Sequence, residues 1–266
     1  MRLVTFNILH GRSLRDGQVG PGRLAAAVRR LDPDILALQE VDRAQDRSHR
    51  ADLTAVAAAA MGAVDQRFVP ALVGTPGARW TPARDPDEPD TPAYGVSLLS
   101  RYPATAWRVL RLPRIPFRVP RTGAHLWPER LAPEEPRVAV AGRFATPAGP
   151  LTAVATHLSF VPGWGQLQLL AIRRALVGVE GPVVLLGDLN LAGRQPELLT
   201  GYRSLGRRPT MPAGRPDHQI DHILARGELG RVVAVDNPEL ELSDHRPLVV
   251  ELARGGGAHR PPDGAG

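Results

Sequence analysis

Hydrophobic positions along the chain fall into short, nearly uninterrupted runs bounded by glycine, proline or a polar residue, and stretches of helical periodicity separate the first of them. Leu3-Val4-Thr5-Phe6 predicts a strand over Arg2 to Ile8. A helix is expected from Pro21 to Leu31, where proline suits the first helical turn. A buried strand from Ile35 to Gln39 and an alanine-rich helix from Ala51 to Met61 follow. From Val64 the balance moves to strands: Arg67 to Leu72, Gly95 to Leu99, Trp107 to Leu112, Arg137 to Phe144 and Leu151 to Thr156. A helix over Gly165 to Val179 then precedes strands at Val183 to Leu186, Ile220 to Leu224, Arg231 to Val235 and Leu248 to Leu252. The expectation is one α/β domain over residues 1–254 with mixed sheet pairing, and long strands in both halves suggest two packed sheets. Pro82 to Pro92 reads as loop, and the glycine- and proline-rich stretch 255–266 as a flexible tail.

Composition narrows the chemistry more than the fold. With 43% hydrophobic and 23% charged residues in 266, the chain is ordinary for a soluble globular protein. The absence of cysteine excludes a disulfide scaffold, a thiol nucleophile, a zinc ribbon and an iron–sulfur site, so any metal must sit on oxygen or imidazole. A formal charge of +6 favours a phosphate-bearing partner. All its Lys/Arg positions are arginine, a bias that runs through the whole sequence and looks like codon usage. There is no apolar run long enough for a transmembrane segment, and the N-terminus goes straight into a strand rather than a secretory leader, so a cytoplasmic monomer is expected.

The informative feature is that polar residues recur at the ends of apolar strands: Asn7, Glu40, His157, and Asp188 with Asn190. Any one of them alone is most simply a turn former. Together, leaving the same edge of packed sheets, they would converge on one crevice. Alternation along an extended segment points Asp188 and Asn190 to one side, where a carboxylate beside an amide can hold a cation's water and a phosphate oxygen. Ser243-Asp244-His245 places a carboxylate next to an imidazole at a strand entrance, and Asp221 inside an apolar strand needs a partner. His222 would point away from Asp221 and reads as structural. Asp16 is as readily a capping group as a crevice residue. From Arg101 to Arg121 there are six arginines, interleaved with Trp107 and Phe117 and followed by Trp127. That pattern suits single-stranded nucleic acid or phospholipid headgroups, or else is a solvated surface with its aromatics in the core.

The ordered set Thr5-Phe6-Asn7, Leu38-Gln39-Glu40, Leu99-Ser100-Arg101-Tyr102-Pro103, Thr156-His157-Leu158, Gly187-Asp188-Leu189-Asn190, Ile220-Asp221-His222-Ile223 and Ser243-Asp244-His245 resembles the endonuclease/exonuclease/phosphatase superfamily, across residues 2 to 252. The resemblance implies a four-layer α/β/β/α sandwich of two packed mixed sheets with a site at one edge. It also implies a magnesium or manganese ion bound chiefly by Glu40, with Asn7 and Asp244, and in-line attack of water on phosphorus. By motif, Asp221 holds His245, which contacts the scissile phosphate or takes a proton from water, and Asp188 binds or activates the nucleophile. Asn190 donates to a phosphoryl oxygen, His157 stabilises developing charge or protonates the leaving oxygen, and Arg101 binds substrate. Two positions depart from familiar members: Leu9 stands where abasic endonucleases carry an aspartate. The stretch Asp90 to Tyr94 also lacks the acid that supports the matching histidine in pancreatic deoxyribonuclease, which favours a phosphate-contacting role for His157. The expected activity is phosphodiester hydrolysis, nuclease-like first, with a phospholipid or inositol-phosphate substrate as the alternative and a non-catalytic phosphate-binding protein as the third.

Overall fold

The computed structural model describes residues 1–84, 90–120 and 131–253. The expected tail, the middle of the Pro82 to Pro92 loop, Arg121 and Trp127 lie outside these residues. In chain order the elements are β1 (Arg2–Asn7), α1 (Pro21–Leu31), β2 (Ile35–Arg43), α2 (Leu53–Met61), β3 (Asp65–Gly74), β4 (Trp80–Pro82), β5 (Ala93–Ser100), β6 (Ala104–Arg111), β7 (Arg118–Pro120) and β8 (Leu131–Pro133). They continue as β9 (Val138–Thr146), β10 (Gly149–His157), α3 (Trp164–Ala175), β11 (Val183–Asp188), α4 (Gln195–Thr200), β12 (Arg203–Ser204), β13 (Asp221–Arg226), β14 (Val232–Asp236) and β15 (Leu248–Leu252). Short β4, β7, β8, β12 and α4 escape the sequence pattern because two to six residues carry too little periodicity to read. The second helix begins two residues later than expected because Asp52 is its cap: the carboxylate accepts the Ala55 N–H at 3.0 Å.

Seven strands form one sheet in the order β14-β15-β1-β2-β5-β3-β4, six form another in the order β12-β13-β11-β10-β9-β6, and β7-β8 is a small hairpin. β1 pairs parallel with β2, and β10 with β11, whereas their outer neighbours pair antiparallel. Period-two alternation then builds the layers. Leu3, Ile35, Ala37, Val96 and Leu98 of the first sheet meet Val140, Phe144, Ala153, Ala155, Val184 and Leu186 of the second in the central core. The intervening Val4, Phe6, Leu36 and Leu38 face outward onto α1 and α2, and Val154, Val183 and Leu185 face α3. Strands buried on both faces must be apolar at nearly every position, hence the unbroken hydrophobic runs. Each fully buried Leu, Val or Phe contributes about 1.5–3 kcal/mol relative to exposure, and Trp107 adds an edge-on contact to Phe144 at 5.5 Å between ring centroids. The mixed α/β sandwich expected from sequence is the observed architecture. Its two parallel pairs end at one edge, and that edge carries the site.

Candidate active site

The first sheet brings Asn7 at the end of β1, Glu40 within β2, and Asp244 and His245 from the loop that enters β15. Residues Asn7 and Gln39 are in register, and β2 continues past Glu40 only by breaking its pairing with β5 between Leu38 and Val41. Glu40 itself adopts φ +57°. A bulge of this kind re-aims a side chain, here toward the crevice. The Ser243 turn, at φ +70°, is tied to β1: its hydroxyl donates to the Asn7 carbonyl at 2.6 Å and accepts the His245 N–H at 3.1 Å.

The second sheet brings the other half. His157 closes β10 and Asp188 closes β11 in register with it, while Asp221 opens β13 directly across from Asp188. Backbone N–H groups of Asn190 and Leu158 donate to the Asp188 side chain and carbonyl at 3.0 and 2.9 Å, and the Asn190 amide donates to the Leu158 carbonyl at 3.0 Å. The strand ends are therefore laced together, with Asn190 in the left-handed region at φ +50°.

At this edge the sheets are joined through Asn7 and His245. Asn7 Nδ2 donates to Asp188 Oδ2 at 3.1 Å and to Glu40 Oε1 at 3.2 Å. His245 Nδ1 donates to Asp221 Oδ2 at 2.8 Å, and Thr210 donates to the same oxygen at 2.6 Å. Since an ionised carboxylate only accepts, Nδ1 must carry the proton and Nε2 faces Asp188 Oδ2, 3.9 Å away. His157 Nε2 approaches that oxygen to 3.4 Å.

Burial and charge then separate the protonation states. Desolvation lowers the His245 pKa, but the charge and hydrogen bond of Asp221, then Asp188 and Asp244, more than reverse this and raise it to about 10. His157 is held well below the ordinary histidine value by desolvation, then by Arg137 and His245. Desolvation, and next the Asp221 charge, raise the Asp188 carboxyl. Glu40 is likewise raised, first by desolvation, against the Asn7 bond and with the Asp244 charge adding to it.

Two donor sets suit a divalent cation. Asp188, Asp221 and His245 offer ligand atoms within 4.8 Å of one another. Glu40 and Asp244 line the same cavity, the Asp244 charge acts on Glu40, and the Glu40 carboxylate accepts a bond from the Asn7 amide. Asn7, expected as a third ligand, turns its nitrogen to the carboxylates, and its oxygen accepts the Leu9 N–H at 3.2 Å.

Asn7, Glu40, His157, Asp188, Asp244 and His245 line a cavity of about 760 Å³ with Asn190, His10, Trp80, Phe160, Arg47 and the Glu134/Arg137 pair, and Asp221 supports His245 from behind. Arg47, Glu134 and Arg137 were not expected there, nor was Thr210 beside Asp221. For Arg137 the signal existed: Glu134-Glu135-Pro136-Arg137 is a polar cluster just before an apolar run, and β9, antiparallel to β10, starts where β10 ends. His222 is structural as expected, buried with Nε2 on the Leu191 carbonyl at 2.8 Å, and Asp16 pairs with Arg23.

Arg101 is not brought to the site. β5 runs antiparallel to β2, so Ser100 pairs with Ile35 at the start of β2, the end opposite to Glu40. The Arg101 guanidinium donates to the Met61 carbonyl at 2.9 Å and to Asp32 Oδ1 at 2.5 Å. The neighbouring arginines are also engaged elsewhere: Arg108 donates to the Ala175 carbonyl and Arg111 to the Pro70 carbonyl. Trp107 packs against Phe144, in the core. Among the described residues this stretch forms no cationic track along the cavity.

The sequence matches the family model described as Endonuclease/Exonuclease/phosphatase family over residues 4–245. No curated protein matches it. Among solved structures, an endonuclease/exonuclease/phosphatase from Beutenbergia cavernae is similar at 24% identity and TM-score 0.68, covering 96% of this chain and 72% of that one. One from Bacteroides vulgatus is similar at 20% identity and TM-score 0.64, over 95% and 98%. Sphingomyelinase C from Streptomyces griseocarneus is similar at 16% identity and TM-score 0.61, over 94% and 98%.

Proposed function

The chain belongs to the endonuclease/exonuclease/phosphatase family, and from that premise we propose that it is a phosphodiesterase dependent on magnesium or manganese, with Glu40 and Asp244 holding the ion. The fit is electrostatic: desolvation and the Asp244 charge raise the Glu40 carboxyl, which accepts a hydrogen bond from the Asn7 amide, and one or two carboxylates plus substrate oxygens satisfy a hard cation. Asp221 Oδ2 is already taken by His245 Nδ1 and the Thr210 hydroxyl, which favours the Glu40 pair over them. When bound, the ion neutralises charge on the phosphoryl oxygens.

The rest is done by side chains. Asp188, with its carboxyl raised, is suited to take the proton of an attacking water. Its geometry is fixed by Asn7 and the Asn190 N–H. Attack forms the new phosphorus–oxygen bond, breaks the bond to the alkoxide, and the alkoxide takes a proton from solvent. His245, of the three described histidines lining the cavity the one with a raised pKa, donates from Nε2 to a phosphoryl oxygen as charge builds. Asp221 and Thr210 keep its ring in place. His157, neutral, is a contact residue rather than an acid.

For substrate, a small phosphoester headgroup is favoured over polynucleotide. The described arginines lining the cavity are Arg47 and Arg137, they share its wall with Glu134 and Glu135, and Trp80 and Phe160 supply apolar faces. A polyanionic track would need cations in series. The observation that carries the proposal is the joining of Asn7 to Asp188 across the two sheets. Hydrolysis of bis-p-nitrophenyl phosphate with magnesium or manganese, compared with EDTA, tests it: Asp188→Asn and Glu40→Gln are expected to lose at least about 100-fold. Equal rates in EDTA, or unchanged rates in both variants, would refute it. Single-stranded DNA and phospholipid or inositol-phosphate headgroups run in parallel rank the substrates.

A further inference from the structure

One buried charged pair in the cavity wall takes no part in the chemistry above. Arg137 stands directly before β9, and because Ala139 pairs with Thr156 it lies at the edge where β10 ends in His157. Arg137 and Glu134 are 7% and 9% exposed, and both line the cavity. Their Nε and Oε1 atoms stand 3.7 Å apart, beyond hydrogen-bonding range. Neither atom has a hydrogen-bond partner among the described residues. Buried donors and acceptors left open in this way bear a desolvation penalty unless something completes them. Arg47, by contrast, is committed through two bonds, at 2.8 and 2.7 Å, to Asp42.

The surroundings indicate what completes Arg137. Arg137 lines the same cavity as His157 on the second sheet and Glu40 on the first, so the guanidinium borders both halves of the site. A tetrahedral oxyanion between them would meet it. A guanidinium offers parallel N–H groups spaced for two oxygens of one phosphate. We propose that Arg137 binds non-bridging oxygens of the substrate's phosphoryl group, and that Glu134 positions the guanidinium from the wall side. This inference rests on the phosphoester reading of the site and adds the residue that recognises the phosphoryl group.

The test measures inorganic phosphate binding by calorimetry in EDTA, alongside ester hydrolysis and thermal unfolding. Arg137→Gln is expected to weaken phosphate binding about 10- to 100-fold, and Arg137→Lys to recover part of the loss. Glu134→Gln is expected to cost less than either. Because Arg137→Gln on its own leaves Glu134 buried without its counter-ion, the double variant Glu134→Gln/Arg137→Gln serves as the folded control and should lose phosphate binding equally. A purely structural ion pair would shift the melting temperature and leave phosphate affinity within about twofold, and that result would overturn the inference. Hydrolysis by the wild type with unchanged phosphate affinity in Arg137→Gln would remove Arg137 and keep the phosphodiesterase. Phosphate binding lost in Arg137→Gln by a protein that hydrolyses no ester would do the reverse.

Discussion

Replacing Asp221 by Asn should uncouple His245 from its high pKa, and the effect is large enough to be read as stability. In the folded protein His245 is 5% exposed and its pKa stands at about 10 against 6.5 for the free side chain. That rise corresponds to about 5 kcal/mol of preference for the imidazolium. A histidine whose folded pKa is raised contributes stability that is complete below 6.5 and is lost as pH climbs through 10. Between pH 6 and pH 9.5 the contribution should fall by up to about 4 kcal/mol, and Asp188, which also faces the ring, keeps part of it in the variant. The stability gap between wild type and Asp221→Asn should therefore be about 2–4 kcal/mol larger at pH 6 than at pH 9.5. Urea unfolding at both pH values in EDTA measures the gap, and NMR of the His245 ring nitrogens measures the titration directly. EDTA matters because a bound cation would add positive charge and lower the histidine. A gap that is flat or widens with rising pH, or a ring that titrates alike in both proteins, would refute the coupling.

Other outcomes follow from the same structure. Magnesium or manganese at about 100 times its dissociation constant should stabilise the protein by roughly 2.7 kcal/mol, and thermal melts should show that gain vanish in Glu40→Gln, whose carboxylate is raised by desolvation and by Asp244. At Gly187 an added Cβ would lie 2.2 Å from the Thr156 carbonyl oxygen, so Gly187→Ala must part β10 from β11 and shift Asp188 against His157. It should lose about 1–3 kcal/mol in urea unfolding and at least about 100-fold in hydrolysis. Arg101→Ala should leave hydrolysis within about twofold while costing up to about 1 kcal/mol, since its partly exposed ion pairs lie at the far end of the sandwich. A marked loss of activity in that variant would return Arg101 to the site.

By itself the sequence determined the strand runs, because strands covered on both faces must be hydrophobic at almost every position, and it marked Asn7, His157 and Asp188 as polar breaks where those runs end. Glu40 and Asp221 were legible as polar residues in apolar company, and His245 as an imidazole beside an acid. What a one-dimensional pattern does not carry is strand direction. Arg101 follows a strand end much as Asp188 closes one, yet antiparallel pairing with β2 sends it to the far edge, and the same reversal brings Arg137, which precedes a strand, to the site. Nor does sequence register the bulge that turns Glu40 or the loop contact by which Thr210 reaches Asp221. The protonation states, one histidine driven up and the other down, were decided only by tertiary structure, since desolvation and opposing charges act through distances that folding alone sets.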